Sequence, residues 1–258
     1  MRFGVATGYR NFAAVVDSGF DYYEGNLSTI TGFSDEDYSE MLKTVQASPI
    51  NMEAVNGFYP GNIILVGPKR DMNVIEAYTK KALSRAAAFG VKVAVLGSGE
   101  SRNVPEGYDF QKAYDEFAEV LKMCGDIAKP YGITIVIEPL FKKATNLINT
   151  VAEGLEMCKY VNHPNVKCLV DFFHVFNNGE TLDAVRTASA DLMHVHVARG
   201  DRRMPSTEED IAICREWANA LKECGYDSRV SLEGIIDAEG YADTIKATLE
   251  ILQQVFND

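Results

Sequence analysis

The chain of 258 residues predicts an α/β fold, a single-domain (β/α)8 (TIM) barrel spanning residues 1–258. Three observations carry that expectation. The length is close to that of one such barrel. Short apolar segments alternate from end to end with longer segments of helical periodicity, the pattern of βα units and a parallel sheet. Finally, polar residues close four consecutive apolar segments, at the strand ends where barrel active sites lie.

The expected strands are Arg2–Thr7, Asp21–Leu27, Asn51–Asn56, Lys92–Leu96, Thr134–Pro139, Lys167–Phe172, Leu192–Val197 and Arg229–Glu233. Each has a helical segment after it. Asp35–Gln46 opens with acidic residues, suited to the positive end of a helix dipole. Asn73–Phe89 is long and Ala-rich and stops at Gly90. Phe110–Pro130 ends at Pro130-Tyr131-Gly132. Val151–Tyr160, Thr181–Ser189, Thr207–Cys224, closed by Gly225, and Gly240–Val255 complete the alternation. An open doubly wound sheet is the alternative. No G-x-G-x-x-G follows the first strand, and Gly97-Ser98-Gly99 lacks the third glycine at the required offset. No linker rich in Pro, Gly or Ser divides the chain.

Composition narrows the function classes. Hydrophobic residues make up 47% of the chain, enough for a substantial core. A formal net charge of −12 argues against nucleic-acid partners, which need a basic face, and against anionic membrane surfaces. The start, MRFGVATGYR, runs straight into an apolar strand without the pattern of a signal peptide. The apolar runs fall far short of the roughly 20 residues of a spanning helix. Five cysteines, none in a C-x-x-C pair, read as small buried hydrophobes in a reducing compartment. The expected location is the cytoplasm.

Strand-end polar residues point to the chemistry. The fifth strand, ITIVIEPL, ends at Glu138, and the sixth, VKCLVDFFHV, ends at Asp171 with His174 three residues on. In the seventh, LMHVHVARGDR, His194 and His196 share a face because strand side chains alternate with period two. The eighth, VSLEGI, ends at Glu233. His194 is expected to be inward or structural, and His163 a loop residue. Three carboxylates converging in an apolar barrel repel one another unless a divalent cation neutralises them. Oxygen and nitrogen ligands suit manganese, magnesium, cobalt or iron(II) more than a structural zinc with thiolates.

The stretches VIEPL, LVDFFHV, HVHVARGDR and SLEG, in this order and spacing, resemble the xylose isomerase-like barrel superfamily. Within it they look most like the sugar (phosphate) isomerase/epimerase group that includes the ketose 3-epimerases. EGNL at Glu24, VNGFYP at Asn56 and LGSGESRNVPEGY around Ser98 and Arg102 extend the resemblance over nearly the whole chain. The resemblance implies one divalent metal, Mn2+ first among Mg2+, Co2+, Fe2+ and Zn2+. Its ligands would be Glu138, Asp171, His196 and Glu233, the second histidine of H-x-H being the ligand. His174 and Arg202 would contact the substrate, and Arg102 is a candidate for binding a substrate phosphate or carboxylate.

The implied function is isomerisation or epimerisation of a small sugar or sugar phosphate. A metal-stabilised enediolate would form, with Glu138 and Glu233 moving the proton. Ala144 stands where ketose 3-epimerases carry a further glutamate, and Phe141 and Lys142 also depart from their loop. A metal-dependent dehydratase or lyase acting on a keto-sugar or keto-inositol, and a non-catalytic metal-binding barrel, are the alternatives. A nuclease of the same superfamily would need a three-metal cluster with many more histidines than the four present. A homo-oligomer is compatible with this reading.

Overall fold

Eight parallel strands close on themselves in chain order in a computed structural model that describes residues 1–257. They are β1 Arg2–Ala6, β2 Tyr22–Asn26, β3 Asn51–Asn56, β4 Val93–Leu96, β5 Thr134–Ile137, β6 Val166–Asp171, β7 Leu192–Val197 and β8 Arg229–Leu232. Closure is made by β1 pairing β8, with Arg2 opposite Arg229 and Val5 opposite Leu232. This bears out the expected (β/α)8 barrel. Among the described residues the α-helices are α1 Phe12–Asp17, α2 Leu27–Gly32, α3 Asp35–Gln46, α4 Met72–Ala88, α5 Phe110–Ala128, α6 Val151–Val161, α7 Phe172–Asn177, α8 Leu182–Arg186, α9 Glu208–Glu223 and α10 Tyr241–Asn257.

The helices begin and end where side chains satisfy the orphan backbone groups. Ser34 accepts from the amide of Asp37, Asp71 from those of Asn73 and Val74, and Asp109 from that of Lys112. Thr150 and Glu153 form a capping box at the start of α6. Gly90 and Gly225, expected as helix stops, take φ of +88° and +78°, a region glycine enters without steric cost.

Two layers of apolar packing hold the barrel. Between sheet and helices lies the larger cluster, which includes Val55, Leu83, Phe117, Leu121 and Trp217. Inside the lumen, Tyr22, Ala54, Val93, Val95, Val136 and Leu169 fill the space below the strand ends. Gly4 makes room for the Tyr22 ring, since a Cβ there would lie 2.3 Å from it. The lumen is therefore a packed core rather than a pore.

Differences from expectation are local. The short helices α2 and α7 follow their strands at once, and the helix expected over Thr181–Ser189 shortens to α8. Phe172, expected as the last strand residue, is the first of α7. The reason is Asp171: its Oδ1 accepts from the Phe173 amide at 2.8 Å and so starts a helix where the strand ends. All five cysteines are free. No helix among the described residues is long and apolar enough to cross a membrane.

Candidate metal centre

Strand register brings the four expected ligands to one level. Asp171 pairs with His196 across β6 and β7, and the two glutamates lie one residue past β5 and β8. The Glu138 amide donates to Leu96 O at 3.3 Å and the Glu233 amide to Val197 O at 3.1 Å. Ligand atoms of Glu138, Asp171, His196 and Glu233 all lie within 4.8 Å of one another, in a group that could hold a metal ion. His196 Nδ1 is 3.4 Å from Glu138 Oε1 and 3.4 Å from Glu233 Oε2.

The donor set fits a cation on independent grounds. Glu138 Oε1, Asp171 Oδ2 and His196 Nδ1 are buried polar atoms with no hydrogen-bond partner, and all three face the same point. An unpartnered buried carboxylate oxygen costs several kcal/mol, roughly, so two of them and an imidazole nitrogen at one point are an unfavourable arrangement without a cation. Burial holds the Asp171 carboxyl well above the usual carboxylate range, and the neighbouring Glu233 and Glu138 add to it. Burial would raise Glu233 as well, but His196 and Arg202 outweigh it and hold that carboxyl low.

His174 is brought to the cluster by α7, which is fixed from behind by Phe172 stacking on Trp217 of α9 at 4.7 Å. Its Nδ1 accepts from the Phe141 amide at 3.1 Å, so the neutral ring carries its hydrogen on Nε2. That Nε2 lies 3.5 Å from Asp171 Oδ2 and 3.9 Å from Glu138 Oε1. Burial pulls the imidazole down to about 4, which keeps it neutral at neutral pH. Phe141 stacks on the ring at 5.3 Å, and Phe173 meets it edge-on at 5.0 Å. Ala144, by contrast, turns its carbonyl toward Gly99, where a Cβ would lie 2.6 Å away.

Arg202 also reaches the cluster. Its guanidinium donates to Glu233 Oε2 at 2.9 Å and lies over the Phe173 ring at 4.6 Å. The residue has φ of +63°, which costs a non-glycine residue roughly 1–2 kcal/mol. Backbone bonds to Arg199 O and from Ile235 N hold it there. On the other side, Asn56 Nδ2 donates to Glu233 Oε1 at 2.7 Å.

Arg102 is placed differently from the expected substrate contact. It is fully buried and turns back into the protein, donating to Leu96 O at 3.5 Å, Glu138 O at 2.7 Å and Ile148 O at 3.4 Å. Three carbonyls occupy the guanidinium, and it lies against the Phe117 ring. Burial lowers it to about 10, still charged at neutral pH. It ties the ends of β4 and β5 to the loop before α6 and has no face toward the opening.

Glu24 is the residue that strand-end reasoning passed over. It sits within β2, on the inward face with Tyr22, and is fully buried. Its two oxygens take up His194 Nε2 at 2.8 Å and His196 Nε2 at 2.9 Å. Burial would raise its carboxyl, but the two histidines outweigh it and hold it low. The signal was a charged side chain directly after Tyr22 and Tyr23 inside the strand YYEGN, which a barrel lumen tolerates only when paired.

Gly97 supplies room for the cluster, because a Cβ there would lie 2.2 Å from Glu138 Oε2. That oxygen ends a flexible side chain, so Gly97→Ala displaces the carboxylate rather than the backbone. The expected result is a melting temperature near the parent's without metal, with Mn2+ affinity down at least about tenfold. Titration calorimetry on metal-stripped protein checks this, and parent affinity in the variant would show that the close approach does not matter.

Comparison with known proteins agrees with this geometry. A family model described as xylose isomerase-like TIM barrel matches residues 12–254. The chain is 25% identical over 253 residues to D-psicose 3-epimerase of Ruminiclostridium cellulolyticum, covering 94% of this chain and 82% of that one. It is 26% identical over 239 residues to D-psicose 3-epimerase of Agrobacterium fabrum, covering 88% and 78%. A crystal structure of D-psicose 3-epimerase in the presence of D-fructose shares the fold with a TM-score of 0.87 at 20% identity, over 100% of both chains. With its closed barrel and its carboxylate–imidazole cluster at the ends of β5 to β8, the chain belongs to the xylose isomerase-like TIM barrel family, among relatives that are sugar epimerases and isomerases.

Proposed function

We propose that the protein is a divalent-metal-dependent epimerase or isomerase of a small ketose or ketose-like sugar, working as one domain, with Glu138 and Glu233 as the proton-transferring pair. One observation supports this above others. The two glutamates approach His196 Nδ1 from different strands at equal distance, 3.4 Å, with Asp171 completing the cluster. The D-psicose 3-epimerase relatives support the reaction class.

Glu138, Asp171, His196 and Glu233 would hold a divalent cation, for which Mn2+ suits the carboxylate and imidazole donors, and it would supply Lewis acidity toward a substrate carbonyl. One glutamate takes the proton from the carbon next to that carbonyl. In an epimerase the other returns a proton to the opposite face of the same carbon. In an aldose–ketose isomerase the proton goes back to the neighbouring carbon. His174 presents its Nε2 hydrogen to a sugar oxygen, and Arg202 both orients Glu233 and faces the same space. The Phe141 and Phe173 rings exclude water beside His174. With Ala144 in the loop, no carboxylate grips the far end of the sugar there, so selectivity rests on this aromatic wall.

The test is turnover of Mn2+-loaded protein in D2O with free ketoses, ketose phosphates and keto-inositols. The expected result is deuterium at one carbon beside the carbonyl, together with a stereoisomeric or positional isomer of the same mass otherwise. Loss of water or a cleaved carbon–carbon bond would replace the assignment by a dehydratase or lyase. Absence of bound metal and of exchange on every substrate would overturn it.

A further inference from the structure

Below the ligand cluster a column of polar side chains descends into the lumen. His196 Nε2 meets Glu24 Oε1, Glu24 Oε2 meets His194 Nε2, and Ser231 Oγ lies 3.4 Å from that nitrogen and 2.8 Å from Tyr22 OH. All five residues are buried. Polar groups are costly in a lumen otherwise filled by Val93, Val95, Val136 and Leu169. A column whose only task was packing would be replaceable by apolar side chains at no loss.

We propose that Glu24 is a positioning residue that fixes the tautomer of His196 and so aims the Nδ1 lone pair at the metal site. The inference rests on the reading of the cluster as a cation site. An ionised carboxylate only accepts hydrogen bonds. Both imidazole Nε2 atoms facing Glu24 therefore donate to it, which leaves Nδ1 of His196 as the ring atom that can bind a cation. For His196 that atom points at Glu138 Oε1 and Glu233 Oε2, each 3.4 Å away. Three acceptor atoms facing one another repel unless a proton or a cation stands among them.

The opposite tautomer would behave differently. With its hydrogen on Nδ1, His196 would donate to Glu138 or Glu233 directly and close the site against a cation. Glu24 selects against that form by requiring the hydrogen on Nε2. A carboxylate behind a metal-binding imidazole also raises its basicity toward the ion. His194 occupies the second oxygen of Glu24, so the carboxylate is held between two donors and cannot swing away. Its own Nδ1 is buried and has no partner, as expected of a ring whose one hydrogen is committed to Glu24.

Two measurements test this. First, metal-stripped Glu24→Gln is titrated with Mn2+ by calorimetry, beside its metal-free melting temperature. The expected loss of affinity is about 10–100-fold, with the melting temperature near the parent's. Parent-like affinity overturns the proposal. Second, the side-chain nitrogens of the four histidines are observed by 15N–1H correlation in the metal-free parent. His196 and His194 are both expected to carry a hydrogen on Nε2, and a bare Nε2 on His196 overturns the proposal even if the variant does not fold. A parent that binds no Mn2+ would overturn the cation site itself, and the tautomer measurement would still decide the role of Glu24.

Discussion

Glu233→Gln lowers turnover by about 10³-fold or more while the barrel stays folded. The substitution keeps size and shape but removes three things at once. It takes away a negative ligand from a cluster of four. It replaces an acceptor-only group by one that accepts at one end and donates at the other, although Asn56 Nδ2 and Arg202 both donate to this side chain. One of those donors then faces an amide hydrogen. On the proposed mechanism it also removes one of the two groups that move the substrate's proton. Glu138→Gln acts the same way, since its Oε1 shares His196 Nδ1 with Glu233. The measurement is turnover on the substrate found for the parent, beside circular dichroism and the metal content of each variant. Parent rates in either folded variant would sink the assignment of the pair.

Arg102→Met has its large effect on stability instead. The buried guanidinium donates to the carbonyls of Leu96, Glu138 and Ile148; Leu96 O and Ile148 O also accept from the Glu138 and Leu140 amides, so Glu138 O, bonded at 2.7 Å, is the carbonyl that loses its donor. Charge-assisted hydrogen bonds contribute about 1.5–3 kcal/mol each, against which stands the cost of keeping a charge out of water. A net loss of about 3 kcal/mol is expected, or roughly 6–12 °C in melting temperature for a domain near this size. The substrate KM of the folded variant should stay close to the parent's. A raised KM with an unchanged melting temperature would restore Arg102 as a substrate contact.

Much of the site was legible because two local rules coincide. Strand side chains alternate with period two, and barrel chemistry collects at C-terminal strand ends. Together they mark Glu138, Asp171, the His194/His196 pair and Glu233 without any knowledge of contacts, and the family resemblance selects His196 within the pair. The same rules misjudge Arg102, because proximity in sequence to the rim says nothing about which way a long side chain turns. They also pass over Glu24, whose partners lie 170 and 172 residues away. Helix α7 was missed because the apolar run of β6 continues through Phe172 and Phe173, and only the cap made by Asp171 shows where the strand stops.

By itself the sequence determined eight strands, their order, and the four side chains that end at a common rim. Those features follow from local periodicity and from the handedness of βα connections, which leave little choice once the segments are known. Only the tertiary structure decided which charge faces which. Closing the barrel set β2 across from β7, so that one carboxylate meets two imidazoles, and it turned Arg102 inward onto carbonyls of β4 and β5. Electrostatic pairing in a dry interior depends on distances of a few ångström between residues far apart in the chain, and those distances exist only after closure.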